Sequence, residues 1–201
     1  MKIVSGGQFL TRYSKAASPD PLSEAFERYE QWMAAGGNGR LHLEEPEGLN
    51  VCRVVEGRGL ARLKTVWRRL SLILATLVSV NSWKIFWYKR AGVTVGKKVF
   101  ITHGAKLDWL APWLITLEDG VVLGYEALVA NHIFYQSKLV ISRVTIGNRA
   151  VVGARATTFA SMAPKSMLSP GSVLFTPAPT GATMVGNPAE HFQAGQYPTK
   201  G

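Results

Sequence analysis

The chain has one cysteine, Cys52, in 201 residues. No internal disulfide can staple it, and the thiol usage fits a reducing compartment. Nor does Cys52 stand in a pattern with a base, as a nucleophilic cysteine must. Histidine is scarce as well, with four in all. Acidic residues are few: 13 Asp and Glu face 23 Lys and Arg, a net charge of +10, so the surface attracts anions such as nucleic acid, acidic lipid headgroups or phosphorylated small molecules. The opening MKIVSGGQFLTRYSK lacks the apolar core of a secretory signal, which places the protein on the cytoplasmic side. A clean apolar run of about 20 residues is also missing. The best stretch, Leu70 to Tyr88, is interrupted by Ser71, Thr76, Ser79, Asn81, Ser82 and Lys84.

What is present is a period of six. Hexads open on Leu117, Leu123 and Val129, and after a break on Ile146 and Val152, with two earlier ones at Val95 and Ile101. An aliphatic residue leads each, a small or acidic one usually follows, and a small or apolar residue returns at the fifth place. That period is neither helical nor a strand alternation. It suits a triangular parallel β-solenoid in which each leading aliphatic stacks in the core. Gly96, Gly124, Gly147 and Gly153 follow the leading residue, where the spacing predicts a tight corner. Beyond Ala156 the same frame puts Thr158, Pro164 and Pro170 at the leading places, so the last coils read as eroded.

With Asp108, Pro112, Leu114-Ile115, Asp119, His132 and a closing Gly186-Asn187-Pro188-Ala189, the stretch from about 90 to 192 resembles the hexapeptide-repeat acyltransferases, most closely the branch that acetylates sugars and polysaccharides. The resemblance implies a left-handed parallel β-helix, hence a mainly β fold behind an α-helical N-terminal region. It implies acetyl-CoA as acyl donor and a sugar or glycan as acceptor. It also implies His132 as general base; Asn131 beside it and Phe134 and Tyr135 in the loop that follows are the acceptor candidates. Pantetheine would pair with small residues of the later coils, here Gly153, Ala154, Ala160, Ser161, Gly171 and Ser172. Arg155 and Lys165 would meet the phosphates, and Asn187 and Pro188 the adenine.

The chemistry asks for little more. A thioester is already activated, so one neutral imidazole that takes the acceptor's proton and returns it to the thiol can suffice. His132 stands at the fourth place of a hexad beside a long insertion, IFYQSKLVISRVT, of the kind that builds binding sites. His103, at the third place of an early hexad, reads as structural; His42 and His191 lie outside the repeats and read as surface residues. One class of solenoid, the γ-type carbonic anhydrases, binds zinc through histidines, but a site needs three ligands and the repeats offer His103 and His132 at most. No metal is expected.

The chain thus divides into an N-terminal helical and loop extension over 1–59, a basic amphipathic helical segment over 60–90, the solenoid over 91–192 and a tail over 193–201. A helix is predicted from Asp20 to Ala35, with Asp20 as N-cap and Pro21 in the first turn. The stretch LHLEEPEGLNVCRVVEG, from Leu41 to Gly57, reads as a loop with short extended pieces, and DWLAPWLIT as an extended bridge containing Pro112.

The segment over 60–90 carries Arg62, Lys64, Arg68 and Arg69 ahead of an apolar, Trp-rich stretch. It suits a membrane interface with Trp67, Trp83 and Trp87 at headgroup depth, the other readings being a true span and a packing face on the solenoid or a neighbouring subunit. The basic residues gather beside that apolar stretch rather than on a repeated stacking platform, which argues against nucleic acid. A homotrimer with sites between subunits is expected, because an open-sided solenoid cannot enclose CoA alone and the flat faces of three prisms can. The competing function is a solenoid that has lost catalysis and serves as a scaffold or membrane-docking module.

Overall fold

The computed structural model of the chain describes residues 21–44, 52–57, 59–135 and 138–192. The predicted cap Asp20, the residues before it, the middle of the predicted loop over 45–51, Arg58, Gln136, Ser137 and the tail over 193–201 lie outside the described residues. Helix α1 (Pro21–Ala34) starts at the predicted proline and is followed by β1 (Arg40–Glu44), α2 (Cys52–Glu56), α3 (Leu60–Leu77) and α4 (Asn81–Ala91). The segment over 60–90 is therefore two helices. Val78 leaves the helical region with φ −87° and ψ 135°, and the chain re-enters helix after Val80.

The solenoid follows as β2 (Thr94–Val95), β3 (Phe100–Ile101) and β4 (Lys106–Leu107), then β5 (Ile115–Leu117), β6 (Val122–Leu123) and β7 (Leu128–Val129). A hairpin of β8 (His132–Tyr135) and β9 (Lys138–Ser142) interrupts it. It resumes with β10 (Val144–Ile146), β11 (Val151–Val152) and β12 (Thr157–Thr158), then β13 (Met167–Leu168) and β14 (Val173–Leu174), and closes with β15 (Thr183–Gly186) and β16 (Ala189–His191). Strands one coil apart pair in parallel, so β2, β5 and β10 form one face, β3, β6, β11, β13 and β15 a second, and β4, β7, β12 and β14 the third. The leading residues stack inward coil on coil, as in the register Leu107 to Val129 to Thr158 to Leu174.

The later coils are not eroded. After Thr158 the chain spends four residues, not six, before Met162, which bridges Ile146 below it and Ala178 above it. The frame then runs on through Leu168 and Leu174, all buried. Pro164 and Pro170 fall in turns, two places after a buried aliphatic, where no ladder donor is lost. Thr158 does face the core, but its hydroxyl donates to the Ala160 carbonyl at 2.6 Å and so terminates the shortened corner.

The glycine reading also changes. The positive φ falls at the fourth place of the hexads, from Lys98 (54°) through Glu126 (54°), Arg149 (55°) and Arg155 (55°) to Lys165 (60°), and not at the second. Glycine is required at the second place by the next coil: a Cβ on Gly147 would stand 2.6 Å from the Pro164 nitrogen, and one on Gly153 2.6 Å from the Leu168 carbonyl oxygen. Close approach of backbones, rather than conformational freedom, selects it.

The first coil needs a cover for its unpaired edge, and α4 supplies one. Asn81 donates to the Val99 carbonyl and accepts from the Ile101 N–H, each at 2.9 Å. Lys84 donates to the Thr102 carbonyl at 3.0 Å, and the Tyr88 hydroxyl to the Ala105 carbonyl at 3.0 Å. A second core joins the N-terminal extension to the solenoid: Phe26, Leu43, Val54 and Val55 pack with Leu110, Leu114, Leu139 and Ile141. In the same module β1 pairs antiparallel with β9, which pairs with β8, so the predicted loops around His42 and after His132 are one three-stranded sheet. Pro112–Leu114 is a 3-10 turn with proline in its first position, not an extended bridge.

Candidate active site

Where the third face turns back to the first, the corner is widened in the first two coils. The first gives Asp108 and the 3-10 turn; the second gives Asn131 and the hairpin that begins at His132. Because Leu107 pairs with Val129, the residues that follow them meet side by side. Asp108 is 3% exposed. Its Oδ1 accepts from the Leu110 N–H at 2.8 Å, and its Oδ2 from the Asn131 N–H at 2.8 Å and from His132 Nδ1 at 2.6 Å. A carboxylate can only accept, so the hydrogen sits on Nδ1 and the Nε2 lone pair is left to take a proton.

The ring is held from both sides. Phe134 meets it edge to face at 5.3 Å and Trp109 at 6.2 Å. Arg69 lies 4.7 Å over Trp109 while its Nη1 pairs with Glu56 at 2.8 Å, and Arg68 lies 4.4 Å over Trp113. Two of the four cations expected to meet lipid thus fix α3 across the corner instead. A cavity of about 430 Å³ opens there, lined by Leu72, Ile73 and Thr76 of α3, by Lys106, Leu107 and Leu128 of the third face, and by Asp108, Trp109, Ala130, His132 and Phe159. Its volume is in the range of small-molecule sites, and its walls are largely apolar.

The other expected residues divide. Asn131 is 1% exposed and its Nδ2 donates to the Ala111 carbonyl at 2.5 Å, so it braces the 3-10 turn rather than reaching an acceptor. The side chain of Tyr135 lies outside what is described. Ala160 and Ser161 share the corner of His132, one coil on, next to the cavity residue Phe159. Gly153, Ala154, Arg155, Gly171 and Ser172 occupy a second corner, and Lys165 the third, so Arg155 and Lys165 do not converge within one chain. Arg155 pairs instead with Glu126 at 2.8 Å, and the Ser172 hydroxyl, buried, accepts from the Gly186 N–H at 2.9 Å. Asn187 and Pro188 form the exposed turn between β15 and β16, joined by a cis peptide bond. His103 sits in a turn against Tyr125, not stacked in the core, and His191 is exposed on β16. Burial and the charge of Glu56 push the Cys52 thiol up, which disfavours a nucleophilic thiolate.

Sequence reasoning missed Trp109, Phe159 and the three α3 residues of the cavity. Asp108 stood in the motif that carries the resemblance, but without a role; like Asn131 and His132, it follows the last core aliphatic of a coil.

Against solved structures, the chain superposes with a TM-score of 0.58 on a hexapeptide-repeat-containing acetyltransferase from Vibrio cholerae complexed with acetyl coenzyme A, at 11% identity over 69% of this chain and 90% of that one. A maltose O-acetyltransferase from Clostridium difficile gives 0.54 at 12% identity, over 69% of this chain and 89% of that one. The chain has the hexapeptide-repeat acetyltransferase fold. No family model and no curated protein matches the sequence.

Proposed function

We propose that the protein is an acyltransferase that moves an acetyl or similar acyl group from acyl-CoA to a hydroxyl or amine of a sugar or glycan, with His132 as general base. The observation that carries this reading is the pairing of His132 with the buried carboxylate of Asp108 in the wall of a cavity on this fold. In the reaction, Nε2 of His132 takes the proton as the acceptor oxygen or nitrogen bonds to the thioester carbonyl carbon. The tetrahedral intermediate collapses with cleavage of the C–S bond, and the thiolate recovers the proton from Nε2. Asp108 keeps the ring in the tautomer that leaves Nε2 free and offsets the transient imidazolium charge.

The winding is read as left-handed, as in the family the sequence resembles. Ala160 and Ser161 are the small residues best placed for pantetheine, and those of the other corners serve only if a neighbouring subunit brings them to the cavity. Among the described residues no group of three metal-binding side chains occurs. A lone thiol fits a cytoplasmic location. The erosion of the later coils, which favoured a scaffold, is not found, since they keep a full core.

Thiol release from acetyl-CoA across a panel of sugars, amino sugars and glycans tests the proposal. His132→Ala should lower turnover by about a hundredfold to ten-thousandfold, the usual share of a general base, with the fold unchanged by circular dichroism. Asp108→Asn should lower turnover while leaving CoA affinity in place. A folded His132→Ala protein with full turnover would remove the assignment.

A further inference from the structure

Helix α3 buries Thr65, Ser71, Leu72 and Ala75 and presents Leu60, Leu63, Val66, Trp67, Leu70, Ile73, Leu74 and Leu77 to solvent. Exposure along that stripe runs from 37% at Leu74 to 83% at Leu60. At 100° per residue these eight fall on one arc opposite the buried face. Helix α4 adds exposed Trp83 and Phe86. A continuous apolar face of this size marks an interaction surface.

Charge decides what covers it. Between Glu56 and Asp108 the chain has eleven Lys and Arg and no acidic residue, so the remainder holds twelve against thirteen and is nearly neutral. The whole excess lies on this arm and the first coil. Arg62 and Lys64 stand in or next to the first turn of α3, where the helix dipole disfavours cations, and that turn has no acidic residue to relieve them. Two such stripes brought face to face would repel, which disfavours a second copy as occupant. No described helix is long and apolar enough to cross a membrane.

We infer that the outer face of α3, with Trp83 and Phe86 of α4, docks in the plane of an anionic lipid bilayer. The apolar stripe enters the headgroup boundary while Arg62, Lys64, Lys89 and Arg90 meet the lipid charge. Trp87, expected at headgroup depth, is half-buried against the core and stays out of the docking face. Ile73 belongs both to the stripe and to the cavity wall, so docking sets the cavity that holds His132 at the bilayer surface.

Sedimentation of the full chain with vesicles of phosphatidylcholine containing about a third phosphatidylglycerol reads docking without any turnover. Failure of the acyl-transfer reading therefore leaves it standing. The protein should pellet at low salt, bind at least tenfold more weakly to pure phosphatidylcholine, and lose binding at 1 M salt, where the Debye length falls to about 3 Å. Leu63→Glu/Leu70→Glu, neither residue lining the cavity, should abolish pelleting with the circular dichroism spectrum and the mass by light scattering unchanged. Wild-type protein that stays in the supernatant, or a double variant that pellets equally, would overturn the inference. So would a double variant that changes oligomeric mass, which would make the face a contact between copies.

Discussion

A Cβ on Gly147 would lie within 2.7 Å of two backbone atoms of the next coil, the Pro164 nitrogen and the Ala163 carbonyl carbon. Neither atom can swing aside as a side-chain end can, so Gly147→Ala must push adjacent coils apart and should cost about 1–3 kcal/mol, the usual cost of overpacking. Gly171 offers the contrast: nothing lies within 4 Å of its Cβ position, and only its φ of 71° opposes a side chain. Gly171→Ala should cost about 1–2 kcal/mol through backbone conformation alone. Urea midpoints at one protein concentration check both, and a harmless Gly147→Ala would mean that the coils separate more easily than their spacing suggests. At this scale the sequence was half legible. The glycine positions stood out in the hexads, but a glycine chosen for conformation and one chosen for closeness look alike until the neighbouring coil is in place.

Among the elements, α4 couples burial to pH. Tyr88 is 1% exposed, and burial pushes its hydroxyl up to about 12 from 10.0. A folded-state value above the unfolded one stabilises fully below about pH 10 and is lost as pH rises through about 12, a loss of about 2–3 kcal/mol. Lys84 runs the other way: burial lowers its value, so its effect favours folding as pH rises and is complete by its ordinary value of 10.5. Between pH 10.5 and 12 Lys84 therefore no longer offsets the loss from Tyr88, and half-buried Tyr29, also raised, adds to it. Tyr88→Phe should flatten the loss of stability in that window, at the expense of the hydrogen bond to Ala105; an unchanged alkaline limb in urea titrations would contradict this. The hexads themselves were legible because the core repeats them. The four-residue corner after Thr158 was not, since one shortened turn moves every later aliphatic by two places and makes sound coils look worn. The break at Val78 to Val80 has no glycine or proline to announce it, and the pairing of β1 with β9 joins residues about a hundred apart in the chain.

For the whole molecule, the cavity beside His132 has α3 on one side and the solenoid on the other, and the residues expected to hold CoA are spread over three corners of one chain. A neighbouring copy related by a threefold axis can bring one chain's second corner to another's first, which a single prism cannot do. If α3 docks on a bilayer as inferred above, the solenoid faces are the surface left for such a contact. The second face carries exposed Phe100, Met167 and Val185. Met167→Glu should then break the trimer: light scattering at micromolar concentration should give three times the mass of one chain for the wild type and a single mass for the variant. Turnover should fall with the trimer, and vesicle binding should survive but weaken, because three linked docking faces bind more tightly than one. A wild-type monomer at that concentration would rule out the shared site. A Met167→Glu trimer would move the contact to another face.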